Sequence, residues 1–157
     1  MEYRFYIDGL KPISCNSSHY GASAGYSKKP ATRYWEKKLK NGMLKYPDHI
    51  KSIQNTFIRD AHVLTRQYIF FYPSEMYWTK KGELSLHTQD VSNISKIPDD
   101  EVFVRVLKID DKFIQRGSVE KIPWLKPKNG CLVIVNLEKR EAIESRAAKW
   151  IAIAEAS

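Results

Sequence analysis

The apolar positions of this 157-residue chain follow alternating and helical periods that divide it into elements. "YRFYI" (3–7) is aromatic and β-branched, which predicts a first strand. It is followed by "DGLKPISCNSSHYGASAGYSKKP", rich in Gly, Ser and Pro; a loop of that length inside a compact domain is either mobile or functional. From Thr32, Trp35, Leu39, Met43 and Leu44 recur at i, i+4, i+8 and i+9, predicting a helix. "PDHIKSIQNTFIRDA" (47–61) predicts a second helix, opened by Pro47. "HVLTRQYIFFYP" (62–73) reads as a strand, and "MYWTKKGELSLH" (76–87) as a hairpin turning at Lys81 and Gly82. "KFIQRGSVEKI" (112–122) and "GCLVIVNLE" (130–138) predict two more strands. The chain closes on "REAIESRAAKWIAIAEA" (140–156), an amphipathic helix with Ile143, Ala147, Trp150, Ile151 and Ala154 on one stripe.

Residues 94–107 fit both periods. "EVFVRVL" is β-branched enough for a strand, whereas Val102, Val106 and Ile109 fit a helix face and Pro98 should kink or restart a helix. There is no internal repeat and no low-complexity tract. The expected fold is therefore one α/β domain spanning 1–157, a mixed sheet with flanking helices.

Composition narrows the class. Apolar residues make up 43% and charged residues 28%, as in an ordinary globular protein, and the aromatics (Tyr 9, Phe 6, Trp 4) argue against disorder. No apolar run reaches the ~20 residues that span a bilayer, and "MEYRFYIDG" has no signal-peptide pattern, so no membrane association and a cytosolic location are expected. Cys15 and Cys131 form no C-x-x-C pair and read as free thiols. The four histidines lack zinc spacing.

Net charge is +8, and the first sixty residues carry eleven Lys and Arg against five Asp and Glu. A basic surface attracts polyanions, nucleic acid most commonly. Lys11, Lys28 and Lys29 with Tyr20 and Tyr26 suit a phosphate backbone and a stacked base, and equally a solvated flap. Lys80 and Lys81 at the expected turn join them as candidate DNA contacts.

The acids form a second pattern. "DVSNISK" supplies Asp90, Asn93 and Lys96 within seven residues, and "IDDKF" supplies Asp110 and Asp111. Mg²⁺ prefers carboxylate oxygens and keeps several waters, so two or three acids from different elements are enough to hold it for phosphodiester hydrolysis. A nearby Lys stabilises charge on the phosphoryl oxygens. The two ends must meet, however. A straight helix over 94–108 would be ~22 Å long and hold Asp90 and Asp111 apart. A helix ending near Arg105 (~17 Å by the same rise) could be retraced by five or six extended residues at ~3.3 Å each. "VLKIDD" is long enough for that return. Without the reversal, Asp-x-x-Asn is an ordinary helix start, Asp110–Asp111 a solvated turn, and Lys96 with Asp100 a surface ion pair.

The ordered set Asp90, Asn93, Lys96, Asp100, Asp110–Asp111 and Lys121 resembles the RusA family of Holliday junction resolvases. These endodeoxyribonucleases, often carried by phages and prophages, share the signature Asp-x-Asp-Asn-x-x-Lys-x-x-x-Asp, followed by an Asp-Asp pair and a Lys. "YIDGLKPISCNSS" and "KKPATRYWEKKL" are similar to the family's opening strand, loop and first helix, so the likeness runs over residues 3–137. The resemblance implies a RusA-like domain acting as a homodimeric, Mg²⁺-dependent nuclease (Mn²⁺ as a substitute) on four-way or other branched DNA. It implies Asp90 and Asp111 as metal ligands with Asp110 beside them, Lys96 as the catalytic lysine, and Asn93, Asp100 and Lys121 in support. It also favours a helix for the ambiguous segment, distorted at Pro98.

One position departs. Where the family has the second Asp of its Asp-x-Asp pair, this chain has Ser92, a neutral and weaker ligand that also makes a good N-cap. The site then binds metal more weakly, recruits another acid such as Asp110 or Glu83, or has lost catalysis and leaves a branched-DNA-binding protein on the same scaffold.

Overall fold

A computed structural model describes residues 1–12, 29–85 and 96–155, and only the backbone of residues 96 and 97. The fold is a single α/β domain built on one mixed four-stranded sheet flanked by helices. In chain order the elements are β1 (Glu2–Asp8), α1 (Pro30–Met43), α2 (Pro47–Thr56), β2 (His62–Pro73), the single turn α3 (Ser74–Tyr77), α4 (Lys96–Asp99), β3 (Ile114–Trp124), β4 (Gly130–Lys139) and α5 (Arg140–Glu155). The strand order is β1-β4-β2-β3; β1 and β2 each pair antiparallel with β4, while β2 and β3 are parallel. A parallel pair needs a crossover, and here it carries α3 and α4.

Alternation decides which sheet face is buried. Tyr3, Phe5 and Ile7 of β1, Leu64, Tyr68 and Phe70 of β2, and Cys131, Val133 and Val135 of β4 point to one side. There they meet Trp35, Leu39 and Met43 of α1, Ile50 and Ile53 of α2, and the apolar residues that follow α4. Leu44, assigned by spacing to the apolar face of α1, instead caps that helix and is exposed. The second helix stops at Thr56, short of the expected Ala61, because Phe57 turns extended. The expected hairpin reduces to one bridge, Trp78 to Leu84, around Gly82 with φ +79°. Residues 86 and 87 of that prediction lie outside the described residues.

The ambiguous segment is helical, and its distortion lies elsewhere than expected. Pro98 sits in the first described turn, where its missing N–H costs little. The irregularity begins two residues later: α4 passes directly into a π-helical segment, Asp100–Leu107, whose i→i+5 bonding widens the turn. Val102, Phe103, Val106 and Leu107 fill the core from it. Lys108 ends it in the left-handed region (φ 60°, ψ 34°), and the N–H groups of Lys108 and Ile109 both bond to the Phe103 carbonyl. Gln54 of α2 donates to the Leu107 carbonyl at 3.2 Å, occupying another open acceptor.

The last helix forms as expected, and none of its residues is buried. Cys131 is a free, buried thiol whose ionisation burial pushes far up. Cys15 lies outside the described residues. Among the described residues no helix is long and apolar enough to cross a membrane.

Candidate active site

The turn at Lys108 decides where the second acidic group goes. Buried Ile109 anchors the returning chain, and a 3₁₀ turn, Asp111–Phe113, leads into β3. The two acids of that turn then part company. Asp110 is its N-cap: the side chain accepts from the Lys112 N–H at 3.0 Å and pairs with the Lys112 ammonium at 2.6 Å. Lys112 holds this exposed carboxyl below its ordinary value. Asp111 instead faces a cleft of about 270 Å³ shared with Asp99, Arg66, Ile114, Gln115, Arg116 and Gly117. The chain thus doubles back as far as the first turn of α4.

Asp99 is held from two sides. Arg66 Nη2 donates to Asp99 Oδ2 at 2.9 Å, and Arg66 Nε stands 2.7 Å from Oδ1 without hydrogen-bond alignment. Buried Tyr68 donates its hydroxyl to Oδ1 at 2.7 Å. Burial pushes the Asp99 carboxyl above its ordinary value against the pull of Arg66 and Tyr68, and the Asp111 charge adds to the rise. Burial, and after it the charge of Asp99, raises the Tyr68 hydroxyl well above its usual range. The Arg66 guanidinium lies 5.0 Å from the Tyr68 ring centroid and reaches over β3 to the Ser118 carbonyl at 3.3 Å. Gly117 makes that crossing possible: a Cβ there would overlap Cζ and Nη1 of Arg66. Beside it the parallel ladder slips, with Leu64 opposite Ile114 and Thr65 opposite Arg116, so Gln115 is bulged out at the rim of the cleft.

Arg66, Asp99, Tyr68 and Gly117 were not singled out from the sequence. One signal was available: Arg66 occupies an inward position between Leu64 and Tyr68, and a buried cation needs an acid partner. Of the neighbours Asp99 and Asp100, Asp99 lines the cleft, and Asp100, expected in a supporting role, begins the π-helical segment next to it. Lys121 is half-buried on β3, roughly 13 Å along the strand from Gly117. Lys80 and Lys81 are exposed in the turn before Gly82, Lys11 is exposed beyond β1, and Lys29 stands at the start of α1. Asp90, Ser92, Asn93 and Lys28 lie outside the described residues, as does the side chain of Lys96.

Among the described residues no group of three His, Cys, Asp or Glu could hold a metal ion. The cleft offers two carboxylates, and Asp99 is already engaged by Arg66 and Tyr68. Asp111 is therefore the carboxylate available to a hard cation there, and a second ligand has to come from outside this set. Two arginines against two aspartates leave the cleft near neutral, and an adjoining depression of about 330 Å³ lined by Thr65, Gln67, Ser118 and Asn136 shares Arg66 and Arg116. No family model matches the chain, and no curated protein matches it.

Proposed function

We propose that the protein is a divalent-metal-dependent endodeoxyribonuclease that resolves four-way or other branched DNA junctions as a homodimer. The observation that carries this reading is the reversal at Lys108, which returns Asp111 to Asp99 in the first described turn of α4, the turn that opens on Lys96 and follows Asp90 in sequence. Asp111 and Asp90 would hold a Mg²⁺ ion, with Mn²⁺ as a substitute. The ion, when bound, would lower the pKa of a water and neutralise charge on the leaving oxygen. Lys96 would stabilise charge on the phosphoryl oxygens. Arg66 and Arg116 line adjoining depressions among neutral hydrogen-bonding groups, which suits a phosphodiester backbone. Asp99 orients Arg66 and is not a ligand. The net charge of +8 favours association with DNA.

Ser92 favours a second reading, a branched-DNA-binding protein without cleavage, and one experiment separates the two. A labelled four-way junction is incubated with the protein in Mg²⁺ and in Mn²⁺, beside Asp111→Asn. Symmetric, metal-dependent nicking that disappears in the variant supports the nuclease. Binding without nicking in either metal supports the second reading. Binding should weaken steeply with salt as Lys and Arg give up phosphates. Salt-insensitive binding would remove both.

A further inference from the structure

The loop that joins α2 to β2 turns its backbone inward and one aliphatic side chain outward. The Ile58 carbonyl accepts from the Ala61 N–H at 3.0 Å and from the His62 N–H at 2.9 Å, and the Ile58 N–H donates to His62 Nδ1 at 3.2 Å. The Ala61 carbonyl in turn takes the Arg140 N–H at 3.0 Å. Both backbone polar groups of Ile58 are thus engaged inside its own loop, while the residue is 58% exposed. A single exposed aliphatic is ordinary; this one is set apart by what stands beside it.

Phe57 packs edge-on against Phe113 with ring centroids 5.3 Å apart, and both rings rest on the core. Phe113 belongs to the 3₁₀ turn that begins at Asp111. Beyond that ring contact only three residue steps separate Ile58 from Asp111, one from Phe57 and two from Phe113, or about 11 Å of chain at ~3.6 Å each. Two cations attend the same ring: the Arg59 guanidinium lies over it at 5.7 Å from the centroid and the Lys112 ammonium at 5.4 Å. Lys112 is also paired with Asp110. A guanidinium stacked on a ring keeps its in-plane N–H groups for phosphate oxygens.

We propose that Ile58 is a wedge that enters the branch point of a DNA junction and unstacks the base step there, with Arg59 holding a phosphate beside it. This rests on the junction reading above and names the feature of the substrate that the site selects. Arg66 and Arg116 cannot make that selection, since phosphates are common to branched and linear DNA. Apolar wedges part base steps where the duplex is kinked, and a step that has already lost part of its stacking is the least costly to open. The loop is held by its own hydrogen bonds before DNA arrives, so little ordering is lost on insertion. The span from Ile58 to Asp111 is about three nucleotide steps at ~3.4 Å each along a strand. The wedge therefore sets which phosphate reaches Asp111, one within a few nucleotides of the branch.

2-Aminopurine, which brightens on unstacking, tests this when placed at the branch point of a four-way junction and, separately, in the middle of an arm. Ca²⁺ replaces Mg²⁺ to hold the complex before cleavage. At saturating parent protein the branch-point probe should brighten roughly threefold or more, and the arm probe should not. Ile58→Leu should keep the rise and Ile58→Ala should lose it, both with unchanged far-UV circular dichroism and urea midpoint. Arg59→Met should lower the slope of log affinity against log salt by about one; a slope that does not move removes Arg59 from the contact. A rise that persists in Ile58→Ala overturns the wedge, as does a parent that binds the junction with no rise. A parent that nicks in Mg²⁺ without a rise removes the wedge and leaves the nuclease. One that brightens the probe and does not nick removes the nuclease and leaves the wedge, and failure to bind the junction removes both.

Discussion

Neutralising Arg66 by Arg66→Met tests whether the cleft is organised by a charge pair or merely contains one. Methionine keeps an apolar stem over the Tyr68 ring and removes only the guanidinium, leaving Asp99 with one donor, the Tyr68 hydroxyl. A guanidinium and a carboxylate in contact attract by about 4 kcal/mol at an effective dielectric of 20. Breaking a fully buried pair costs about 3–5 kcal/mol, because the survivor is left charged and dry. Here the side chains of Arg66 and Asp99 retain 11% and 17% of their exposure, so water reaches both. The expected loss is about 2–3 kcal/mol, or ~1–1.5 M in urea midpoint at a slope of ~2 kcal/mol/M.

The paired variant Arg66→Met/Asp99→Asn behaves differently. Burial already outweighs the pairing at Asp99, since its carboxyl is raised despite Arg66. Removing both charges while keeping an acceptor for Tyr68 should therefore return stability to within about 1 kcal/mol of the parent. Urea unfolding of parent, two single variants and the double closes the cycle, with a coupling of about 2 kcal/mol expected. In Arg66→Met the Asp99 carboxyl rises further, so the folded state binds more protons than the unfolded state above the ordinary carboxylate value. Its deficit should then shrink as pH falls through that range and be full at neutral pH. A single variant within about 0.5 kcal/mol of the parent, or a double whose losses simply add, would show that Arg66 and Asp99 do not act as a unit.

Why Arg66 and Asp99 escaped a reading of the sequence while the strands did not is a matter of how each is encoded. Tyr3, Phe5 and Ile7 alternate with Glu2, Arg4 and Asp8, and that period of two states both the strand and its buried face. The segment after α4 does carry a helical period, with Val102, Phe103, Val106 and Leu107 inside while Val104 and Arg105 stay out, but its β-branched residues also fit a strand and nothing in the period states that the winding is π. The same winding hides which of Asp99 and Asp100 faces the cleft. The reversal that brings Asp111 back depends on a lysine in the left-handed region, a conformation that sequence reasoning expects of glycine or asparagine. Asp110 and Asp111 look alike in the chain, and only the 3₁₀ cap separates them, sending one to Lys112 and the other to the cleft. For α5 the apolar stripe was legible, but a stripe states that a face will be covered and not by what.

Two further outcomes follow from the same geometry. Gly117→Ala places a methyl where Arg66 crosses β3, so the guanidinium must leave Asp99 or the strand must shift; a loss of about 1–3 kcal/mol in urea unfolding is expected, and it should largely vanish in an Arg66→Met background, a result that a purely β-sheet effect of alanine would not give. The other concerns Glu101, 2% exposed, whose Oε2 takes a bond from Arg105 at 3.1 Å beside the buried Glu36. Burial pushes the Glu101 carboxyl above its ordinary value, Glu36 adds to the rise, and Arg105 and Lys40 oppose it without cancelling it. The folded state therefore holds the proton more tightly than the unfolded state, and the stability this group contributes is present below its ordinary value and lost as pH rises through its folded value. Glu101→Gln removes the charge, leaves Arg105 its second partner Glu36, and keeps a hydrogen-bond acceptor in place. Urea midpoints of parent and variant should nearly coincide at about pH 3.5 and separate in favour of the variant at about pH 7.5. A parent that is the more stable at neutral pH would mean that the ion pair with Arg105 outweighs the burial of Glu101, and that the contact between α1 and the π-helical segment is held by charge rather than in spite of it.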